Sequence, residues 1–487
     1  MSVLLFSTRT SAQHLLSVYF QIKSTSMESA GLFQVNRLEP ELVRPAEATP
    51  REVKELSDID DQEGLRFIAP VIFFYKNKNK PSSSNSIMEE HDHDDPVKLI
   101  KEAVGRTLVY YYPLAGRLKE GLNRKLMVDC NGQGVSFVEA TADVDFDQLA
   151  NVIQPSSPFL HHFLFNLPPQ SHNILDSPLI FIQVTRLNCS GFLFPLSFNH
   201  TMCDGFGLAQ FLKTMAEMIG GAHVPSIQPV WQREIFNARN PPRITCSHLE
   251  FEDVPLVSPI SECSNMLLDP NNHIQRPFFF SLYKISSLRK QLPPHLAKTC
   301  SRFDLLAACL WKCRTIALNL NKNEVVRFSC LTSIRTKKEE MEKLGLPLGY
   351  YGNAFAYPAV MSKAEVLCKS SLGDVVELIK KAKEQVNVEY MKSVADLMVI
   401  RGRPRFSELG NFIVSDNTRL GFDQIDFGWG LPRFAGAATC FSMIISCLVS
   451  LEQEGEKGIS VAIAFPTELA AQTFQREIDR FKITSSL

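Results

Sequence analysis

The run His200-Thr201-Met202-Cys203-Asp204-Gly205 is the clearest candidate for proton chemistry in this sequence. An imidazole titrates near pH 6.5, which suits abstraction of a hydroxyl proton at neutral pH. An aspartate four residues on has two readings. It is either the acid that orients the imidazole or a helix N-terminal carboxylate favoured by the helix dipole. Gly205 lets the chain turn tightly into a helix with no Cβ in the way. In a chain with 11 histidines, a run of this form arises by chance roughly 0.03 times, so a second signature is needed.

That signature is Asp426-Phe427-Gly428-Trp429-Gly430, which joins an acid, two aromatics and two glycines. It reads as a rigid turn with close backbone approach. Metal chemistry finds no support. The 12 cysteines include no C-x-x-C pair and no zinc-ligand spacing, and they fit a reducing compartment. Cys309 and Cys313 share a helix face and read as core filler. His91, Asp92, His93, Asp94 and Asp95 stand in the Lys-, Asn- and Ser-rich segment 76–95, a surface loop, and read as solvated charge.

The elements that must position His200 are legible. Residues 179–199 hold two apolar, partly β-branched runs around Asn188-Cys189-Ser190-Gly191, which is strand, turn, strand. Pro195 in the second run predicts an edge or a bulge, because proline cannot donate to a ladder. After Gly205, the residues Leu208, Phe211, Leu212, Met215, Met218 and Ile219 follow helical spacing, and Gly220-Gly221 ends the pattern. His200 is therefore delivered on a turn between a strand and a helix. Upstream, a short strand starts from Leu32, Pro40, Pro45 and Pro50 make turns, and Phe67–Tyr75 is an apolar run. Asp95-Pro96 starts a helix over Val97–Leu108. Downstream, the sequence predicts a crossover over Pro225–Pro242 and a helix over Ser301–Leu318. Strands near Val325–Leu331 and Phe355–Val360 and a long helix within Ser371–Val399 follow.

A chain of 487 residues exceeds the size at which one core stops growing, so two domains are expected. Their expected bounds are 31–224 with the histidine run, a crossover loop at 225–245, and 246–487 with the glycine-rich run. Lys plus Arg number 51 against 52 for Asp plus Glu, which leaves no global field to hold nucleic acid or an anionic membrane. Any anionic ligand must be met locally. No apolar run approaches the roughly 20 residues of a membrane helix. The first 27 residues lack Asp and Glu and are rich in Ser and Thr, as in a transit peptide. The favoured alternative starts the protein at Met27 and leaves 1–30 as a disordered extension.

In this order, the two runs resemble the plant BAHD acyltransferases, whose patterns are H-x-x-x-D-G mid-chain and D-F-G-W-G toward the C-terminus. The resemblance extends from Leu32 to Phe481. It includes Leu56-Ser57-Asp58-Ile59-Asp60-Asp61-Gln62, Tyr112-Pro113-Leu114-Ala115-Gly116-Arg117 and Tyr350-Tyr351-Gly352-Asn353-Ala354, which are similar to the alcohol acyltransferase branch. It implies an α/β, two-domain CoA-dependent acyltransferase fold like chloramphenicol acetyltransferase, with mixed sheets, helices and a channel between the domains. It also implies that His200 is the general base, taking the proton from an alcohol as its oxygen attacks an acyl-CoA thioester. Acyl-CoA is then a co-substrate, no cofactor is held permanently, and Cys203 packs instead of forming an acyl-enzyme. Asp204 would point away from the reaction and pair with an arginine, either Arg302 or Arg335. Asp426, Gly428, Trp429 and Gly430 would serve the fold. The phosphates of CoA need local cations; Arg401, Arg403 and Arg405, or Lys337 and Lys338, could supply them, and are equally well read as solvated charge. The chain departs from the family after Gly430, where relatives carry Gly-Pro near Gly436 and Ala437 follows here.

The expected partners are acyl-CoA and a small alcohol, with neither nucleic acid nor membrane, for a monomer in the cytoplasm. Transfer to an amine is a second reading. Metabolite binding without turnover is a third, and the intact His200 argues against it.

Overall fold

A computed structural model describes residues 33–76, 95–146, 174–188, 191–253, 274–408, 410–438, 445–453 and 455–483, with isolated residues within 148–165 and 261–266. The first sheet contains β1 (Val35–Arg37), β2 (Ile68–Lys76), β3 (Val135–Ala142), β4 (Ile180–Leu187) and β5 (Gly191–Asn199), in the order β1–β3–β4–β5–β2. β3 and β4 are parallel, and β5 is antiparallel to both its neighbours. The helices α1 (Pro96–Tyr110) and α2 (Gly205–Ile219) lay apolar faces on this sheet, with Ile100, Val104, Leu108, Leu208, Phe211, Leu212 and Met215 all buried in one core. Asp95 caps α1, accepting from Val97 N at 3.2 Å, while Arg186 Nη2 meets both its oxygens at 2.8 Å. Of the acidic and histidine cluster at 91–95, His91 to Asp94 lie outside the described residues.

Pro195 does not mark an edge. β5 lies between β4 and β2, with Pro195 opposite Ile72. Toward β4 the pairing runs from Ile180 opposite Phe198 to Ile182 opposite Leu196, and resumes at Thr185 opposite Leu193. The ladder is interrupted where proline has no N–H to give.

The second half of the chain contributes β6 (Ile274–Ser281), β7 (Val325–Cys330), β8 (Ala359–Lys363), β9 (Asn411–Asp416), β10 (Phe434–Ala437), β11 (Ile445–Gln453) and β12 (Glu456–Phe465). Six of these form the second sheet in the order β6–β12–β11–β9–β7–β8, with β9 parallel to both β7 and β11. β10 instead pairs antiparallel with β2 of the first sheet. Ala437, where the sequence departs from its resemblance, stands opposite Val71 on that ladder. A strand from the late sequence thus extends the early sheet and ties the halves together.

α3 (Arg302–Ala317) begins with a capping box between Ser301 and Asp304 and is buried nearly all round, including Trp311. A helix wrapped on every side needs apolar residues on every face. Cys309 and Cys313 sit in this core with their sulfurs 4.0 Å apart. No group of His, Cys, Asp and Glu suited to a metal occurs among the described residues. The long helix expected within 371–399 is two, α4 (Leu372–Glu384) and α5 (Val388–Ile400). Asn387 separates them, its side chain accepting from Tyr390 N at 2.9 Å, so a local cap competes with helix continuation. Pro358 likewise divides the expected strand at 355–360 into Phe355–Ala356 and β8. No helix among the described residues is long and apolar enough to cross a membrane.

Candidate active site

β5 ends at Asn199, and His200 stands on the turn that follows. His200 N donates to Phe67 O at 3.0 Å, and Asn199 Oδ1 accepts from Thr201 N at 3.1 Å and from Thr201 Oγ1 at 2.7 Å. The turn is held from within, so its backbone geometry does not depend on the imidazole. That ring sits among Phe67, Phe198 and Phe355, with centroids 5.2, 5.5 and 6.0 Å away. The residue is 9% exposed. Burial holds its pKa below 6.5, against an opposing pull from its own backbone carbonyl and from Asp204. A neutral imidazole with a free lone pair at pH 7 is what a general base requires.

His200 lines a cavity of about 840 Å³, counted out to its open mouth. Phe67, Val71 and Phe198 wall it from the first half of the chain, and Phe355, Tyr357 and Ile445 from the second half. A mostly apolar cleft between two sheets, with a few polar groups converging on it, is the usual form of a small-molecule site.

The hydrogen bonds of Asp204 go to the backbone and to an arginine. It is the N-cap of α2, with Oδ1 accepting from Gly207 N at 3.0 Å. Its Oδ2 accepts from Ala354 N at 3.1 Å and from Arg335 Nη1. Arg335 Nη2 also donates to Gly352 O at 2.6 Å. Both readings of this aspartate as a structural acid therefore hold at once. The arginine is Arg335; Arg302 lies exposed at the first turn of α3. Gly205 begins α2, and a Cβ there would come within 2.5 Å of Leu420 Cδ1, so that side chain would have to shift. Two residues on, a Cβ at Gly207 would come within 2.0 Å of Tyr351 O. Cys203 is buried, and burial pushes its thiol well above the usual range.

The three arginines considered for CoA phosphates differ. Arg403 is buried, with Nε on Asp61 Oδ2 at 2.7 Å and Nη1 on Asn123 O at 2.8 Å, so its charge is used within the fold. This corrects the expectation for Arg403. Arg401 and Arg405 are exposed, and Arg405 lies 3.3 Å from Glu63. Lys337 Nζ is taken up by the carbonyls of Lys383 and Val386, at 2.7 and 2.5 Å.

Asp426 Oδ1 accepts from Gly428 N and Gly430 N, both at 2.8 Å, and both glycines have positive φ. Phe427 packs between Tyr75 and Phe194, and Trp429 on Phe192. The glycine-rich turn is thus pinned to β2 and β5 of the first sheet, and none of its residues lines the cavity beside His200.

Sequence reasoning left three residues without a role. Asp60 is fully buried and meets Arg233 Nη1 at 2.8 Å. The same carboxylate oxygen accepts from Asn353 N at 2.9 Å and Nδ2 at 2.8 Å. Arg233 also donates to Met202 O at 2.7 Å, and Asn353 Nδ2 lies 2.9 Å from His200 O. The runs that carry Asp60 and Asn353 were visible as part of the resemblance. Their meeting was not, because 293 residues separate them.

The family model described as the Transferase family matches residues 33–479. The chain belongs to this BAHD Transferase family. Among curated relatives, alcohol acyl transferase 2 of Malus domestica is 54% identical over 92% of this chain and 94% of its own. Benzyl alcohol O-benzoyltransferase of Petunia hybrida is 48% identical, again over 92% of this chain and 94% of its own. Among solved structures, vinorine synthase superposes with a TM-score of 0.67 at 21% identity, covering 92% of this chain and 98% of that one. The F. sporotrichioides TRI101 complex with coenzyme A and T-2 gives 0.64 at 13%, covering 88% and 98%. At those identities the likeness is of fold, and the family's two-domain α/β architecture is the one described above.

Proposed function

We propose that this chain is an acyl-CoA:alcohol O-acyltransferase that forms esters by direct transfer, with His200 as its general base. The observation that carries the reading is the neutral, nearly buried imidazole on the wall of an apolar cavity lined from both halves. The names of its relatives in apple and petunia support the alcohol as acceptor. His200 Nε2 takes the hydroxyl proton as the alcohol oxygen attacks the thioester carbonyl. The tetrahedral oxyanion collapses, the C–S bond breaks, and the coenzyme leaves as its thiolate, which receives the proton from the imidazolium. Asp204, Gly205, Asp426, Gly428, Trp429 and Gly430 hold the loops around this chemistry. Arg401 and Arg405, the exposed members of their group, are the cations proposed for the CoA phosphates. The protein acts in the cytoplasm, a reading that the free cysteines among the described residues support, and it acts as a monomer.

The test uses the purified chain with acetyl-CoA or benzoyl-CoA and a panel of hexanol, butanol, methanol and benzyl alcohol against matched amines. Thiol release and ester formation with alcohols, reduced about 10² to 10⁴-fold in His200→Ala, are expected. Faster turnover of amines, or equal thiol release by His200→Ala, contradicts the reading.

A further inference from the structure

A mostly apolar cavity selects its substrate through the few polar atoms that the protein leaves unpaired. Around His200 most polar side chains are already engaged. Ser333 Oγ donates to Ala354 O and accepts from Arg335 N, both at 3.3 Å, and Ser415 Oγ donates to Asn417 Oδ1 at 2.9 Å. Asp204 is held by Gly207 N, Ala354 N and Arg335, and Asp416 Oδ1 accepts from Thr418 Oγ1 at 2.6 Å. Asp416 and Asn417 are moreover only half-buried.

Tyr357 differs from all of these. It lines the cavity and is only 5% exposed, yet no group among the described residues hydrogen-bonds its hydroxyl. That oxygen is not one of the sealed polar atoms that lack a partner, so it keeps contact with the open space beside it. The ring is packed with Phe355, Phe406, Ile413 and Ile445. A phenylalanine would fill that apolar cluster equally well, and a buried tyrosine ordinarily finds a partner for its hydroxyl. Burial pushes the phenol well above its usual range, so the hydroxyl stays protonated and can donate.

Phe355 stands between this ring and the base, its centroid 6.0 Å from that of His200 and 5.2 Å from that of Tyr357. The hydroxyl is thus placed to meet a part of the substrate beyond the reacting atoms. We propose that Tyr357 is a specificity-determining residue whose hydroxyl donates to an oxygen carried on the acyl chain or on the alcohol, several atoms from the bond being formed. The inference rests on the acyltransferase reading. A substrate that fills the cavity strips water from the hydroxyl, and one with no acceptor there leaves the donor buried and unpaired. Leu331 and Ile445, the lining residues packed nearby, are apolar and offer no substitute. Oxygenated substrates are therefore favoured over hydrocarbon ones of the same shape.

The test compares pairs in which a methylene replaces an ether oxygen: para-methoxybenzyl against para-ethylbenzyl alcohol with acetyl-CoA, and para-methoxybenzoyl-CoA against para-ethylbenzoyl-CoA with methanol. Each is repeated with the meta-substituted pair. Wild type is expected to favour the methoxy member in kcat/KM by at least about fivefold in one arm, the first placing the oxygen on the alcohol and the second on the acyl chain. Tyr357→Phe keeps the ring packing and is expected to bring that ratio below about twofold. A wild-type ratio below about fivefold in every arm, or a Tyr357→Phe ratio above about twofold, overturns the proposal. Calorimetric titration of the product esters of each pair onto His200→Ala, with and without Tyr357→Phe, reads the same preference without turnover. A failure of the acyltransferase reading is thereby distinguishable from a failure here.

Discussion

Arg335 reaches across 131 residues of sequence to place Nη1 on Asp204 Oδ2, which engages the acid of the histidine run in an ion pair with the second half of the chain. This contact joins the start of α2 to the second half of the molecule, and its two side chains are only 13% and 6% exposed. Removing one member of a buried pair leaves the other charge uncompensated. Asp204→Asn keeps an acceptor for Gly207 N and loses the ion pair, so a stability loss of about 3 kcal/mol is expected by urea unfolding. Adding Arg335→Met should cost much less in that background than in wild type.

The buried imidazole of His200 makes stability depend on pH. Its folded pKa lies below 6.5, the unfolded value, so in the window between the two the unfolded chain binds more protons. Stability from this group is therefore complete above about pH 6.5 and is lost as pH falls toward the folded pKa. Relative to His200→Gln, wild type should lose melting temperature between pH 7 and pH 5, as followed by calorimetry.

Cys203 adjoins the base, but its thiol is buried and strongly disfavours ionisation. Cys203→Ala should keep kcat within about twofold, at a stability cost of about 1 kcal/mol. Rapid-mixing assays should show no acyl-enzyme burst in either protein.

The two glycines that open α2 should separate stability from selectivity. Gly207→Ala drives a Cβ into the Tyr351 carbonyl, a backbone atom that cannot swing aside, and should destabilise by about 1–3 kcal/mol in thermal melts. Gly205→Ala meets the end of the Leu420 side chain, which can rotate but also lines the cavity. A smaller stability loss is expected there, with kcat/KM moving toward shorter alcohols in the substrate panel.

The local elements were readable because their signals are local. Asp95-Pro96, the apolar spacing from Leu208 to Ile219 and the apolar run from Gly191 to Asn199 each lie within a few residues of the structure they specify. Where the structure departs from the pattern, tertiary context outweighs a local signal or a local cap outweighs helix continuation. Pro195 predicts an edge or a bulge, yet β5 is an inner strand and its ladder with β4 breaks at one place. Asn387 caps a new helix inside the stretch where the spacing predicts one long helix. Arg403 looked like one of three surface cations until burial against Asp61 took its charge out of reach.

By itself, the sequence determined the family, the strand-turn-helix delivery of His200 and the presence of a second, glycine-rich turn, because each is written in residue types at short spacing. Only the tertiary structure decided that Arg335 holds Asp204 and that Trp429 packs on the early sheet. It alone brought Asp60 and Asn353 together beneath His200. Such contacts join segments hundreds of residues apart, and their partners are selected by burial: a charge or amide removed from water must find its match wherever the chain brings one.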